Sequence, residues 1–436
     1  MARINRLGSL TGVACKKQVD FDTPITPDKP LRCKPFNVEQ KPNLIKDDAC
    51  VGQNIDQGHM VGGYNTTGNL EFEGIHPDEF FLLQGVFPDE SAVEDPTKTF
   101  ILISYTGSNA YERLSLVTTN LKAEKSTDGS SWSDDTGFGT AGTIDISAGA
   151  YDTIAELVAA INATSGWDCV MFGTGTEASS SIPVFAITQV RNASGRIPLL
   201  LKSQIAASTT AKTHKLTIGN TNSLPSYTFR AKADQGTNKS INFESCKFSN
   251  FSLSLEPQGL LKTTFGIVGK KENPDQTDLA LTLGTVKPMT IANTKMVFVD
   301  KDGVIYTLSE VKSAGLSVNP SLHDSKSIQS AYIEEPDYQN YEIKNSFSCA
   351  NNAANMALRP NWQNADEVRC YLFIGGVQEV DSINHIMPSL FFEMPNVTLS
   401  NFSSAVSTRD KLFIQGEGSV VKGINVYTVD AELTTY

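Results

Sequence analysis

The sequence predicts a mainly β protein: a duplicated domain built on long hairpins, carrying an inserted α+β module. Three observations predict it. In residues 246–270, Phe251, Leu253 and Leu255 alternate with Asn250, Ser252, Ser254 and Glu256. That is the period-two pattern of a strand with one buried and one wet face. Pro257, Gln258 and Gly259 supply turn chemistry, and Leu261, Phe265 and Ile267 then share a face in a second run. A weaker copy lies near the C-terminus, where residues 249–254 read against 395–400. Each is followed by a connection and a strand ending in glycine, at 265–269 and 411–416. Upstream, residues 36–38 before Pro42 resemble 316–318 before Pro320. A repeat this long is a duplicated domain and not a solenoid unit. Two β-rich halves with similar strand composition would leave the same trace.

The 436 residues allow two to four domains, each with its own core. A net charge of −12 is unsuited to gripping a phosphate backbone, where affinity comes from Lys and Arg. Nucleic acid could still pass beside such a chain. The N-terminal residues hold two arginines but no apolar core of signal-peptide length, and no run approaches the ~18 apolar residues of a membrane span. The expectation is a protein made in a cytoplasm and exported by no ordinary signal. Cysteines 15, 33, 50, 169, 246, 349 and 370 are scattered without a CxxC. Buried thiols fit this pattern, as do bridges formed after release from the cytoplasm.

Taken in order, residues 1–35 read as an extended N-terminal arm, because Pro24, Pro27, Pro30 and Pro35 exclude helix interiors and central strands. A frayed terminus fits equally. Residues 36–96 and 226–285 form the first copy, with strands near 36–38 and 68–73. Pro77, the acids Asp78 and Glu79, and Gly85 then mark a short helix. Residues 97–225 interrupt this copy as an inserted module. Its strands fall at 100–105, 143–146, 169–172 and 184–190. A capping box at Thr153 and Glu156 opens a helix with Ile154, Leu157, Val158 and Ile161 on one face. Residues 126–142, rich in Gly, Ser, Thr and Asp, form a loop. Residues 286–436 form the second copy. It opens on strands 296–299 and 304–308 around a turn at Asp300–Gly303 and closes on a strand at 424–429.

Catalytic patterns are missing from the sequence. His59, His76, His214, His323 and His385 show neither an HExxH pair nor zinc spacing. The run Gly266-Ile267-Val268-Gly269-Lys270 ends like a phosphate loop, but its first glycine is too close and no Ser or Thr follows the lysine. Glu71 and Glu73 point the same way on a strand and could mimic a carboxylate pair. The expectation is a protein that is not an enzyme and takes no cofactor or metal.

The order of a strand, a short acidic helix, the 251–270 hairpin, residues 394–402 and a closing strand resembles the tail tube proteins of long-tailed bacteriophages. The likeness covers about 36–90 and 226–436 and is one of pattern. It implies a tail-tube-type β-sandwich whose long hairpins join those of neighbouring subunits into a barrel around a channel. Rings stack into the tube through which DNA leaves, and a duplicated chain forms a ring of three in place of six. The implied partners are further copies of the chain, other tail proteins, and viral DNA passing without specific binding. The implied location is the virion tail, assembled in the host cytoplasm, and the insertion decorates the exterior. Period two combined with this likeness sets Asn250, Ser252, Ser254, Glu256, Asn396, Thr398 and Ser400 toward the lumen. Phe251, Leu253, Leu255, Val397 and Leu399 then face the core. Another tail ring component (a terminator or distal-tail hub) and a secreted or virion-borne carbohydrate-binding β-protein share these features. A hydrolase would need a catalytic constellation that the chain does not display.

Overall fold

The computed structural model describes residues 12–46, 59–219, 224–232, 240–257, 259–291, 293–323, 330, 332–338, 340–405 and 413–436. Cys50, the turn residue Gln258, and 411–412 of the expected C-terminal strand lie outside them. The chain opens with β1 (Gly12–Lys17), β2 (Lys29–Leu31), β3 (Glu39–Lys46) and β4 (His59–Phe72), a 3-10 helix (Pro77–Gly85), and β5 (Asp89–Glu90). Next come β6 (Thr97–Tyr105), β7 (Tyr111–Val117), β8 (Asn120–Ser126), β9 (Ser133–Asp134), β10 (Thr143–Asp145) and α1 (Ile154–Asn162). After them lie β11 (Trp167–Phe172), β12 (Phe185–Asn192), β13 (Gly195–Arg196) and β14 (Leu199–Gln204). The chain continues through β15 (Lys212–Thr217), β16 (Tyr227–Lys232), β17 (Ser240–Leu255), β18 (Lys262–Gly269) and β19 (Lys271–Gln276). The second half holds β20 (Asn293–Val299), β21 (Ile305–Thr307), β22 (Val311–Asn319), β23 (Leu322–His323), β24 (Asp337–Tyr338) and β25 (Glu342–Ala350). It ends with α2 (Ala353–Met356), α3 (Arg359–Gln363), β26 (Glu367–Gly375), β27 (Ser389–Ala405), β28 (Phe413–Val420) and β29 (Asn425–Asp430).

One set of antiparallel ladders occurs twice. The first half pairs β1 with β2 and β16, β17 with β16, β18 and β19, and β4 with β18 and β3. The second half pairs β20 with β21 and β26, β27 with β26, β28 and β29, and β25 with β28 and β22. Bulges recur too, between Phe248 and Asn250 opposite β18, and between Leu399 and Asn401 opposite β28. Matching bulge to bulge sets the Ser-Asn-Phe-Ser of 249–252 on the Ser-Asn-Phe-Ser of 400–403. Sequence alone aligns 249–254 with 395–400 instead. Alternation with period two looks alike at many offsets; the extra bulge residue is what pins the register.

β17 and β27 each run through two layers. Ser245 turns β17 at a φ of 55°, and Pro395, which has no N–H to give a ladder, sits where β27 passes between its partners. The outer halves build one sheet, in spatial order β3, β4, β18, β17, β22, β25, β28, β27. The inner halves build the opposing layer with β1, β2, β16 and β19, and with β20, β21, β26 and β29. A single apolar core lies between the layers and spans both halves, from Val13 and Leu70 to Ile414 and Val426. The monomer is therefore a β-sandwich, and among the described residues β3 and β27 are not paired with each other to close a barrel.

Residues 12–31, grouped in sequence with a proline-rich arm, take part in this sandwich within the chain. Val13 and Cys15 are buried, and Pro30 sits in the edge strand β2 opposite Ala14. The short acidic helix is a 3-10 helix with Phe80, Phe81, Leu82 and Leu83 buried. Glu79 caps it by accepting the His76 N–H at 2.8 Å and also accepts the Arg32 N–H at 2.7 Å. Burial pushes this carboxyl up to about 7, against those two hydrogen bonds.

Strands β6 to β14 and α1 make two small sheets of their own around a separate core. The capping box forms as expected, Thr153 Oγ1 accepting the Glu156 N–H. One sheet, β11-β6-β14, lays Phe100, Leu102, Val170 and Phe172 on Val297, Val299, Tyr371, Phe373, Phe391 and Tyr427 of the second half. Phe100 and Phe391 stack at 4.4 Å. The repeat explains why only the second half receives this module. Bulge-matched positions of β16 and β26 carry Arg230 and Lys232 in the first half but Tyr371 and Phe373 in the second.

β15 belongs to the large sheet, pairing with β29 and β5. Its His214 is fully buried, with Nδ1 2.8 Å from Glu90, Nε2 3.4 Å from Asp430 and the ring stacked 4.1 Å from Tyr436. Burial alone would lower its pKa, but the bonds to Asp430 and Glu90 outweigh this and push it up to about 9. The folded value lies above the unfolded value of about 6.5, so the stabilisation is complete below about pH 6.5 and is lost as pH rises through about 9. It should be on the order of 3 kcal/mol. Melting temperatures from pH 6 to 10 should fall more steeply in the native chain than in His214→Gln, which starts lower and keeps only the slope from other buried groups such as Glu79. Parallel curves for the two proteins would refute this assignment.

Candidate functional site

The outer sheet has one dry face and one wet face. Phe251, Leu253 and Leu255 are buried, whereas Asn250, Ser252, Ser254 and Glu256 are exposed. Val397 and Leu399 are likewise buried; Asn396 and Thr398 are half-buried, and Ser400 is exposed. The ladders extend this division across both halves. One row of facing residues runs Glu71, Thr264, Ser252, Ser317, Lys344, Ser419, Thr398. A neighbouring row runs Lys262, Ser254, Gly315, Ser346, Glu417, Asn401. The bulge-to-bulge register makes Asn401 and Ser403, both exposed, the counterparts of Asn250 and Ser252. Sequence reading overlooks these two and the contributions of β4, β22, β25 and β28. The repeated Ser-Asn-Phe-Ser and the alternation in 343–349 are the available signals.

Small polar side chains dominate this face, and its charges are arranged to leave few free cations. Glu39, Glu71, Glu73, Glu256, Glu342 and Glu417 outnumber Lys41, Lys262 and Lys344. Each of these lysines is ion-paired: Lys41 to Glu39, Lys262 to Glu256 at 3.5 Å, and Lys344 to Glu342 at 2.5 Å. Such exposed pairs add little stability. They do neutralise cations that would otherwise attract phosphate. Gly266 keeps the face shallow, since a Cβ there would lie 2.3 Å from Asn250 Nδ2. Asn250 Oδ1 accepts the Gly266 N–H at 3.2 Å, fixing the amide over the bulge. The 266–270 run is mostly strand β18, so its glycines serve close packing and form no phosphate cradle.

A family model described as phage tail tube protein matches residues 8–368. The chain belongs to the phage tail tube protein family. Comparison with curated proteins finds no match. Membership makes this a structural protein of a phage tail, with self-assembly into a tube alongside other tail proteins implied by the family. The matched stretch includes the inserted module and stops inside β26.

Proposed function

We propose that the chain is the major tail tube subunit, whose rings stack into the channel for DNA ejection. The observation that carries this is the continuous polar face shared by both halves, with Lys41, Lys262 and Lys344 all paired on it. A channel for DNA needs phosphate to slide without being held, and affinity for phosphate comes from unpaired Lys and Arg. Asn250, Ser252, Ser254 and Glu256, with Asn396, Thr398 and Ser400, face the lumen in this reading, joined by Asn401 and Ser403. The recurring ladders favour three chains per ring, each contributing two equivalent sectors. The first copy spans 36–96 and 226–285 with β1 and β2 added, the second 286–436. The module in 97–225 sits outside the channel, because it docks on the layer remote from the polar face. The role is structural, not enzymatic, and assembly takes place in the host cytoplasm.

Electron microscopy of purified protein, alone and with tail extract, tests this directly. Hollow tubes with three chains per ring are expected. Single rings that never stack would indicate a terminator or distal-tail hub, and a protein monomeric at every concentration would refute self-assembly. The lumen assignment has its own test. Ser254→Lys should fold and assemble normally, yet slow DNA ejection, and the slowing should fade as salt screens the new cations. Unchanged ejection from particles shown to contain the variant would place this face elsewhere.

A further inference from the structure

A cleft opens at the end of β1, where the first half meets the second. One cavity of about 370 Å³ is bordered by Lys17, Gln18, Phe21, Asp89, Leu224 and Glu335. A second, of about 610 Å³, shares Lys17, Pro88 and Asp89 with it and continues toward Thr217 and Tyr436. The fold holds this wall in place. The Gln18 N–H donates to the Ser226 carbonyl at 2.8 Å, and Ser245 Oγ, at the kink of β17, donates to the Phe21 carbonyl. A Cβ at Gly219 would lie 1.6 Å from Asp89 Oδ2, so glycine there leaves the carboxylate its position.

Two features of the wall serve no purpose in folding. Gln18 is 4% exposed, yet neither its Oε1 nor its Nε2 has a hydrogen-bond partner. Buried amides are nearly always satisfied, because an unmet donor and acceptor are costly to desolvate. The other feature is charge. Asp20, Asp89 and Glu335 border the first cavity against one cation, Lys17. That lysine is already engaged, donating to Gln84 Oε1 at 2.7 Å and to the Tyr436 carbonyl at 3.0 Å. Glu335 is paired with the buried Lys247 at 2.7 Å. Among the described residues neither Asp20 nor Asp89 is ion-paired.

We infer that this cleft binds an extended peptide segment of a different tail protein, one that bears a lysine or arginine. A peptide unit offers one C=O and one N–H together, which is what the Gln18 amide lacks. The basic side chain meets Asp20 and Asp89, and its apolar neighbours rest on Phe21, Pro88 and Leu224. A nucleobase could satisfy the same amide, but its phosphate would face three carboxylates. Further copies of this chain, at a net charge of −12 each, are poorly matched to an acidic cleft. The site goes beyond the tube role and does not depend on it.

The test is titration of the full chain with acetylated, amidated tripeptides, read by ligand-observed NMR. Ala-Lys-Leu and Ala-Arg-Leu should bind saturably, and Ala-Glu-Leu at least tenfold more weakly. Gln18→Leu should weaken both basic peptides at least tenfold while melting no lower than the native chain, since an unmet amide gives way to an apolar group of similar size. An amide that served only the fold would instead lower the melt and leave binding unchanged. Asp89→Asn, an independent variant, should weaken the basic peptides several-fold, by an amount that shrinks as salt rises. Absence of saturable binding, equal binding of all three peptides, or undiminished binding by either variant would overturn the proposal. So would tenfold tighter binding of a peptide of residues 1–10, whose Arg3 and Arg6 would make a copy of this chain the occupant. None of these outcomes bears on whether the chain assembles into tubes.

Discussion

Expression of Leu253→Asp should give insoluble protein, with no soluble chain whose circular dichroism or melting matches the native one. Leu253 is 2% exposed in β17, at the centre of the outer sheet and opposite Leu316 of the other half. Removing its side chain alone should cost about 2–5 kcal/mol. Placing an unpaired carboxylate there adds several kcal/mol more. Together these match the roughly 5–15 kcal/mol that holds a typical domain folded. The neighbouring Ser254→Lys changes charge as much yet should melt within about 0.5 kcal/mol of native, because its side chain is solvated. A soluble Leu253→Asp protein with a native melt would show that the dry and wet faces are exchanged.

Excising the inserted module should produce aggregation unless its docking face is also altered. The module leaves and rejoins the sandwich at one point, since the Ile205 N–H donates to the Pro96 carbonyl at 3.1 Å. A short linker can therefore close the gap at little entropic cost. What excision exposes is Tyr371, Phe373, Phe391 and Tyr427, with Val297 and Val299. Buried aromatics of this kind carry roughly 150–250 Å² each, well above the apolar patch a soluble monomer tolerates. Removing 97–204 should thus give turbid, scattering protein. Adding Tyr371→Arg and Phe373→Lys, which copies Arg230 and Lys232 of the first half, with Phe391→Ser should restore soluble protein. A cut from Asp95 to Ser226, the boundary suggested by sequence, should fail even then, because it also removes β15 and His214. Light scattering and soluble yield of the three forms decide this. A clear solution of the unaltered excision protein would contradict the docking argument.

The sequence by itself determined the β character, the alternating faces of β17 and the presence of a second, related half. These are local properties: each apolar or polar choice at 250–256 dictates which way its own side chain points. The α1 capping box and the turn at Asp300–Gly303 are local in the same sense. The register of the repeat was not legible, because alternation is satisfied by many offsets and only the bulge at Leu399 and Asn401 selects one. Nor was the true extent of the module. Lys212–Thr217 looks like any other strand until β29 and β5 are seen on either side of it. The N-terminal prolines suggested an arm, since sequence reports what Pro24 and Pro30 forbid and not the β16 partner that Val13 and Cys15 find far along the chain. The wet face is likewise a tertiary product. Glu71, Ser252, Ser317 and Lys344 become one row only when ladders between distant strands fix their alignment, a long-range choice that no single stretch encodes.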